Sequence, residues 1–236
     1  MSEEIEIEVD LNIPKNIFQT HKSFSYVKSN SVLNACLNSW LKNKYKHFFS
    51  TDDMCDNFIK THFSGDVYEA YCRLPMAVMK ADLWRYCVIY TYGGIYADAD
   101  AMCLINPDIF TSPKTLLVCG PENKTHLSQW CFAAPKNSPI IKAIIDLSVK
   151  RILETEEIKG EHIIHHLTGP GCFTDAIEEY LKEHSFPVFD DKTSYESYRD
   201  DVMCVFNDEK YRKFIKHFFV GMKPGGWSDE RYAKLL

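Results

Sequence analysis

Residues 80–100 read KADLWRYCVIYTYGGIYADAD, and their order predicts a helix, a sharp turn and a strand in direct succession. Met76, Met79, Leu83, Trp84, Cys87 and Val88 recur at the three- and four-residue steps of a buried helical face, with Ile89 and Tyr90 widening the stripe. Gly93 and Gly94 suit a helix end and let the backbone turn sharply. Ile95 and Tyr96 then lead to Asp98 and Asp100. If the strand persists, the two carboxylates lie on one side of it. Neighbouring like charges are costly without a cation or strong donors. A divalent cation shared with a substrate diphosphate supplies that compensation, whereas a solvated strand end is the plainer alternative. Asp82 and Arg85 stand three apart, and on spacing alone they form an ordinary helical ion pair.

Outward from this stretch the chain alternates between strand and helix patterns. Residues 13–20, 47–50, 115–119 and 130–134 read as strands. Residues 27–45 predict one helix with Val32, Leu33, Cys36, Leu37, Trp40 and Leu41 on its apolar face. Another helix starts at Thr51, with Asp52 and Asp53 favourable in its first turn. Further helices span 138–153, with Pro139 in the first turn, and 170–181. Short strands and loops close the chain, and the polar stretch 182–199 reads as a loop or insertion. Such alternation implies an open, three-layer α/β sheet.

The 236 residues suffice for one sizeable core. Hydrophobic content of 45% and charged content of 25% are ordinary for a globular enzyme. A net charge of −6 without a basic run argues against nucleic acid as a partner. The nine cysteines show no CxxC spacing and read as reduced packing residues.

The central segment resembles glycosyltransferase family 32, which includes α-1,6-mannosyltransferases and bacterial capsular sugar transferases. Its pattern approximates K-A-D-x-x-R-Y, then Y-x-x-G-G-x-Y-x-D-x-D. Three other stretches agree in order: IPKNIFQTHKS at 13–23, QWCFAAPKNSPII at 129–141 and LTGPGCFTDAI at 167–177. The resemblance implies a GT-A fold, here one Rossmann-like mixed-sheet domain with helices on both faces. That domain spans 13–236, behind an acidic tail at 1–12.

By this resemblance the activity is a metal-dependent, retaining transfer of a hexose from a nucleotide-diphosphate sugar, GDP-mannose or a UDP-hexose, to a glycan hydroxyl. Asp98 and Asp100 become ligands of Mn²⁺ or Mg²⁺, with Asp100 the inner-sphere ligand and Asp98 near the ribose or a metal-bound water. Asp82 and Arg85 hold the donor's hydroxyls and its phosphate or sugar oxygens. Phe18, Gln19 and Thr20 line the base pocket. His217, within HFFVG, matches the family's third metal contact, but Met222 and Lys223 stand where Ser and Trp are expected. Trp227 and Ser228, after Gly225 and Gly226, are candidates for the missing lid. Gly169 and Pro170 either form a structural turn or shape the donor site. Trp130 is a core residue or a platform for an acceptor sugar.

Two rivals belong to other classes. A HAD-type phosphatase also uses a DxD, but it needs an apolar strand before the pair and Thr or Val two places after it. A non-catalytic binding protein of the same fold would keep the site without turnover. The N-terminus has neither a basic region nor an apolar run, and no stretch approaches a bilayer span. A cytoplasmic enzyme is therefore expected, with the Golgi lumen open only if an anchor has been trimmed.

Overall fold

The computed structural model describes residues 9–41, 44–197 and 202–218. Over these the chain runs β1 (Asn16–Thr20), α1 (Phe24–Ser29), α2 (Ser31–Trp40), β2 (Lys46–Ser50), α3 (Asp52–His62), α4 (Asp66–Arg73), α5 (Ala77–Tyr92), β3 (Gly94–Ala97) and β4 (Ala101–Cys103). It continues with α6 (Asp108–Thr111), β5 (Leu117–Cys119), β6 (Cys131–Ala134), α7 (Pro139–Glu154), α8 (Ile163–Leu167), α9 (Pro170–Glu183), β7 (Met203–Val205), α10 (Asp208–Phe214) and β8 (Ile215–His217). Six strands form one sheet in the order β2-β1-β3-β6-β5-β7, and β4 pairs with β8 in a small second sheet. The large sheet is mixed: β1 is parallel to β2 and β3, while β6 is antiparallel to β3 and β5.

Alternation along the strands builds the two sides of the core. Phe18, Tyr96, Phe132 and Leu117 face one cluster with side chains from α3, α4, α5, α7 and α9. Ile17, Ile95, Ala133 and Val118 face the other, against Trp40, Phe110, Tyr211 and Ile215. Helices thus cover both faces, as expected for a GT-A fold. The glycine pair lets the turn after α5 pass close to Pro14, Asn16 and Lys136. Gly93 has φ +64°, and a Cβ there would lie 2.6 Å from the Lys136 amide; Gly94 has φ +124°, and its Cβ would lie 2.6 Å from the Asn16 carbonyl.

Several expected elements differ. The helix expected over 27–45 is two helices, broken where Asn30 caps α2 by accepting from the amides of Val32 and Leu33. Leu33, Cys36, Leu37 and Trp40 are buried, but Val32 and Leu41 are exposed. The polar stretch is anchored as far as it is described: Tyr195 is fully buried, and Lys192 pairs with Glu178. Helix α10 was not anticipated. Its short apolar face, centred on Tyr211, gives little periodicity to read.

Candidate active site

The strand carrying the acidic pair does not persist. It ends at Ala97, and the Ala101 amide donates to the Asp98 carbonyl at 2.9 Å, so Asp98 and Asp100 sit on a tight turn between β3 and β4. The turn is anchored on both flanks. Asp98 donates its amide to the Trp130 carbonyl at 2.8 Å, and its own carbonyl accepts from Gln19 Nε2 at 3.1 Å. Gln19 is held in turn by His47, 2.9 Å from its Oε1.

Pairing of β4 with β8 brings His217 opposite Ala101. His217 Nε2 lies 2.9 Å from Asp100 Oδ1 and 3.7 Å from Asp98 Oδ2. Each of the three residues offers one ligand atom, and these atoms all lie within 4.8 Å of one another. Trp130 stacks on the His217 ring at 4.6 Å and 19°, fixing its plane. Burial disfavours the charged His217 ring, but Asp100, Asp98 and Glu122 together outweigh it and raise its pKa. Two hard oxygens and one imidazole nitrogen, converging from a turn and a paired strand, form a donor set that suits a divalent cation.

Behind this group lies a buried ion pair. Arg85 Nη2 is 2.8 Å from Asp82 Oδ1 and 3.4 Å from Asp98 Oδ1, and the guanidinium lies 4.6 Å above the Tyr96 ring. Its Nη1 donates to the Gln129 carbonyl at 3.3 Å, and Nε has no partner among the described residues. Asp82 Oδ2 accepts from the Thr168 hydroxyl at 2.9 Å. Burial pushes the Asp82 carboxyl up, to about 7, against the pull of Arg85 and Thr168. Tyr96 donates its hydroxyl to Asp98 Oδ1 at 2.6 Å, so one ring supports both Arg85 and a metal-site carboxylate.

Arg85, Asp98, Asp100 and His217 open onto a cleft of about 360 Å³ that Thr20, His21, Lys22 and Tyr26 also line, while Asp82 is buried behind it. A second hollow of about 270 Å³ shares Thr20 and Ala81 with it and adds Asp56, Tyr71 and Lys80.

Asp82, Arg85, Asp98, Asp100 and His217 therefore meet, although the chain separates them widely. Other expected site residues do not reach the cleft. Phe18 is buried and stacks on Phe48 at 5.0 Å, because strand alternation sends it into the core; Gln19 spends its amide on Asp98 and His47. Of that trio Thr20 alone lines the cleft. Gly169 caps α9 and packs so tightly that a Cβ would lie 2.9 Å from His165 Cα. With Pro170 it forms the structural turn, and the contact to the site comes from Thr168. Trp227 lies outside the described residues. Tyr96 is not among the expected site residues, whereas Thr168 opens the turn at 168–171, one reading of which places it beside the donor or acceptor. Tyr96 was accessible in principle, since it stands two before Asp98 on the strand. Thr168 has no local signal that its hydroxyl meets Asp82.

Residues 13–116 match the family described as the glycosyltransferase sugar-binding region containing the DXD motif. The initiation-specific alpha-1,6-mannosyltransferase of Candida albicans is 28% identical over 77% of this chain and 57% of its own length. The protein of the same description from Schizosaccharomyces pombe is 28% identical over 75% of this chain and 51% of its own. Inositol phosphoceramide mannosyltransferase 1 of Schizosaccharomyces pombe is 30% identical over 58% and 43%. Among solved structures, the PaToxG glycosyltransferase superposes with a TM-score of 0.52 at 18% identity, covering 72% of this chain and 71% of that one; this likeness concerns the fold. These matches support a likeness to the DXD glycosyltransferases, of the family 32 type. It spans about half the length of the mannosyltransferases it matches. That likeness speaks against the phosphatase alternative. No described helix is long and apolar enough to cross a membrane.

Proposed function

We propose that this protein is a metal-dependent, retaining hexosyltransferase that uses a nucleotide-diphosphate sugar and a glycan hydroxyl acceptor. The observation that carries the reading is the convergence of Asp98, Asp100 and His217 beside the buried Asp82–Arg85 pair. When bound there, a divalent cation supplies Lewis-acid stabilisation to the leaving diphosphate. Arg85, held in plane by Asp82 and Tyr96, presents donors to phosphate or sugar oxygens. Asp82, buried behind the cleft and held by Thr168, orients the guanidinium and is the carboxylate proposed to serve the donor's hydroxyls. His21 and Lys22 line the cleft beyond them and offer further donors to an anionic ligand.

For retention we favour front-face substitution. The acceptor oxygen bonds to the anomeric carbon on the side that the diphosphate leaves, and the acceptor proton passes to a departing phosphate oxygen. No covalent sugar–enzyme adduct is expected by mass spectrometry, and finding one would replace this route with double displacement. Mannose is the sugar named for the relatives, so GDP-mannose is the first donor to test, with UDP-hexoses as the alternative.

The test is nucleotide release from GDP-mannose, UDP-glucose and UDP-galactose, with Mn²⁺ and with EDTA, for the native chain and Asp100→Asn. Mn²⁺-dependent release from one donor, lost in the variant, supports the enzyme. Tight binding without turnover, even with glycan acceptors supplied, would turn the assignment to a binding protein of the same fold.

A further inference from the structure

Beside the candidate active site lies the second hollow, of about 270 Å³, and Thr20 and Ala81 wall both spaces. Ala81 directly precedes Asp82, and Ala77 stands one helical turn before it, so α5 presents two small side chains here and leaves room. Leu74, Pro75 and Met76, from the link between α4 and α5, supply apolar lining.

The polar lining comes from α3, Tyr71 and Lys80. Tyr71 donates its hydroxyl to Asp56 Oδ1 at 2.7 Å, and Lys80 Nζ lies 3.2 Å from Oδ1 and 3.4 Å from Oδ2. Asp56 is thereby held in place, while its Oδ2 keeps a lone pair for another donor. Asp52, four residues earlier on the same face of α3, lines the same hollow. Its side chain makes no hydrogen bond or ion pair among the described residues. An ammonium, a braced carboxylate and an uncommitted carboxylate thus share one small space with apolar neighbours.

Two carboxylates against one ammonium repel a diphosphate, whose place is the Asp98, Asp100 and His217 end of the adjoining cleft. The base is the uncharged part of a nucleotide, flat, with apolar faces and a polar edge, and a hollow of mixed lining suits it. The bases differ in that edge. Guanine presents one acceptor and then two donors: O6, N1–H and the 2-amino group. Uracil presents acceptor, donor, acceptor, so its second carbonyl would meet a carboxylate and be repelled.

We propose that this hollow receives the base of the donor nucleotide and that its charged side chains select guanine. Lys80 donates to O6, Asp56 Oδ2 accepts from N1–H, and Asp52 accepts from the 2-amino group. The inference rests on the glycosyltransferase reading above and narrows its donor to a guanosine-diphosphate sugar. Of the residues expected at the base, Thr20 alone takes part, as a wall of the hollow.

The experiment measures affinities of native protein and Asp52→Asn for GDP, inosine diphosphate and UDP by calorimetry with Mn²⁺, together with melting temperatures. Inosine diphosphate differs from GDP only in lacking the 2-amino group. Native protein should bind GDP about tenfold more tightly than inosine diphosphate, and UDP more weakly than either. In Asp52→Asn the preference for GDP over inosine diphosphate should shrink to about twofold or less. Its inosine diphosphate affinity should match native, its UDP affinity should be no worse, and its melting temperature should stay close to native. Native protein that prefers UDP, or that does not distinguish GDP from inosine diphosphate, overturns the proposal and leaves the transferase reading standing. So does an Asp52→Asn variant that keeps the full preference or weakens all three ligands equally. Native protein that binds none of the three, with Mn²⁺ or without, sinks the transferase reading and this inference together.

Discussion

Two helical ion pairs in this protein have nearly the same local spacing and opposite surroundings. Asp82 and Arg85 on α5 lie three apart and 2.8 Å from each other, with side chains 3% and 6% exposed. Lys142 and Asp146 on α7 lie four apart at 2.6 Å, with 49% and 56% exposed. The exposed pair is a solvated contact that salt screens. The other is held in the interior by Thr168, Gln129 and Tyr96, at a desolvation cost that packing alone would not select. A buried pair at the edge of a cleft, next to three converging side chains that could hold a metal ion, is the arrangement expected of a binding device. Spacing in the sequence is silent on which of the two a given pair will be.

That contrast can be tested hard. Arg85→Met leaves Asp82 buried and unpaired, and should lower unfolding free energy by about 3–5 kcal/mol in urea titration. The double variant Asp82→Leu/Arg85→Met should recover most of this stability while remaining unable to bind a sugar nucleotide. A double variant as unstable as the single would show that the pair is kept for the fold rather than for the ligand.

The His47–Gln19–Asp98 chain sharpens the same point through pH. Burial holds His47 down to about 4, below the usual 6.5, so the ring is neutral in the fold. Between these values the unfolded chain binds a proton that the folded ring refuses. The contribution is therefore complete above 6.5 and is lost as pH falls through 4. About 3 kcal/mol should disappear across that window, and His47→Gln should flatten its share of the profile. A native stability profile that stays level from pH 7 to 4 would count against the neutral ring.

Smaller effects follow at the rim of the comparison. Thr168→Val removes one donor to Asp82 and should cost about 1–2 kcal/mol, with a larger proportional loss in sugar-nucleotide affinity. Lys142→Ala, on the exposed pair, should change stability by about 0.5 kcal/mol or less and leave ligand binding untouched. If Lys142→Ala proved as damaging as Thr168→Val, burial would not be what separates the two pairs.

Much of the scaffold was legible beforehand because local rules govern it. The glycine pair after α5, the acidic first turn of α3 at Asp52 and Asp53, and the short apolar runs of β3 and β6 each act within a few residues. Errors arose where a local pattern met a competing neighbour. Asn30 broke a helix that apolar spacing had continued, and the turn at Asp98 ended a strand that the DxD spacing had extended. Phe18 was assigned to the base pocket by its place in a motif, but strand alternation turned it inward.

The amino-acid sequence by itself determined the α/β order, the family likeness and the carboxylates of the DXD turn. Those properties depend on residue identity and on periods of two and 3.6. Tertiary structure decided that Asp82 and Arg85 are buried, that Thr168 meets Asp82 from 86 positions away, and that His217 reaches Asp100 across 117. These are encounters between distant segments, made when the sheet closes and β8 pairs with β4, and no local period encodes them.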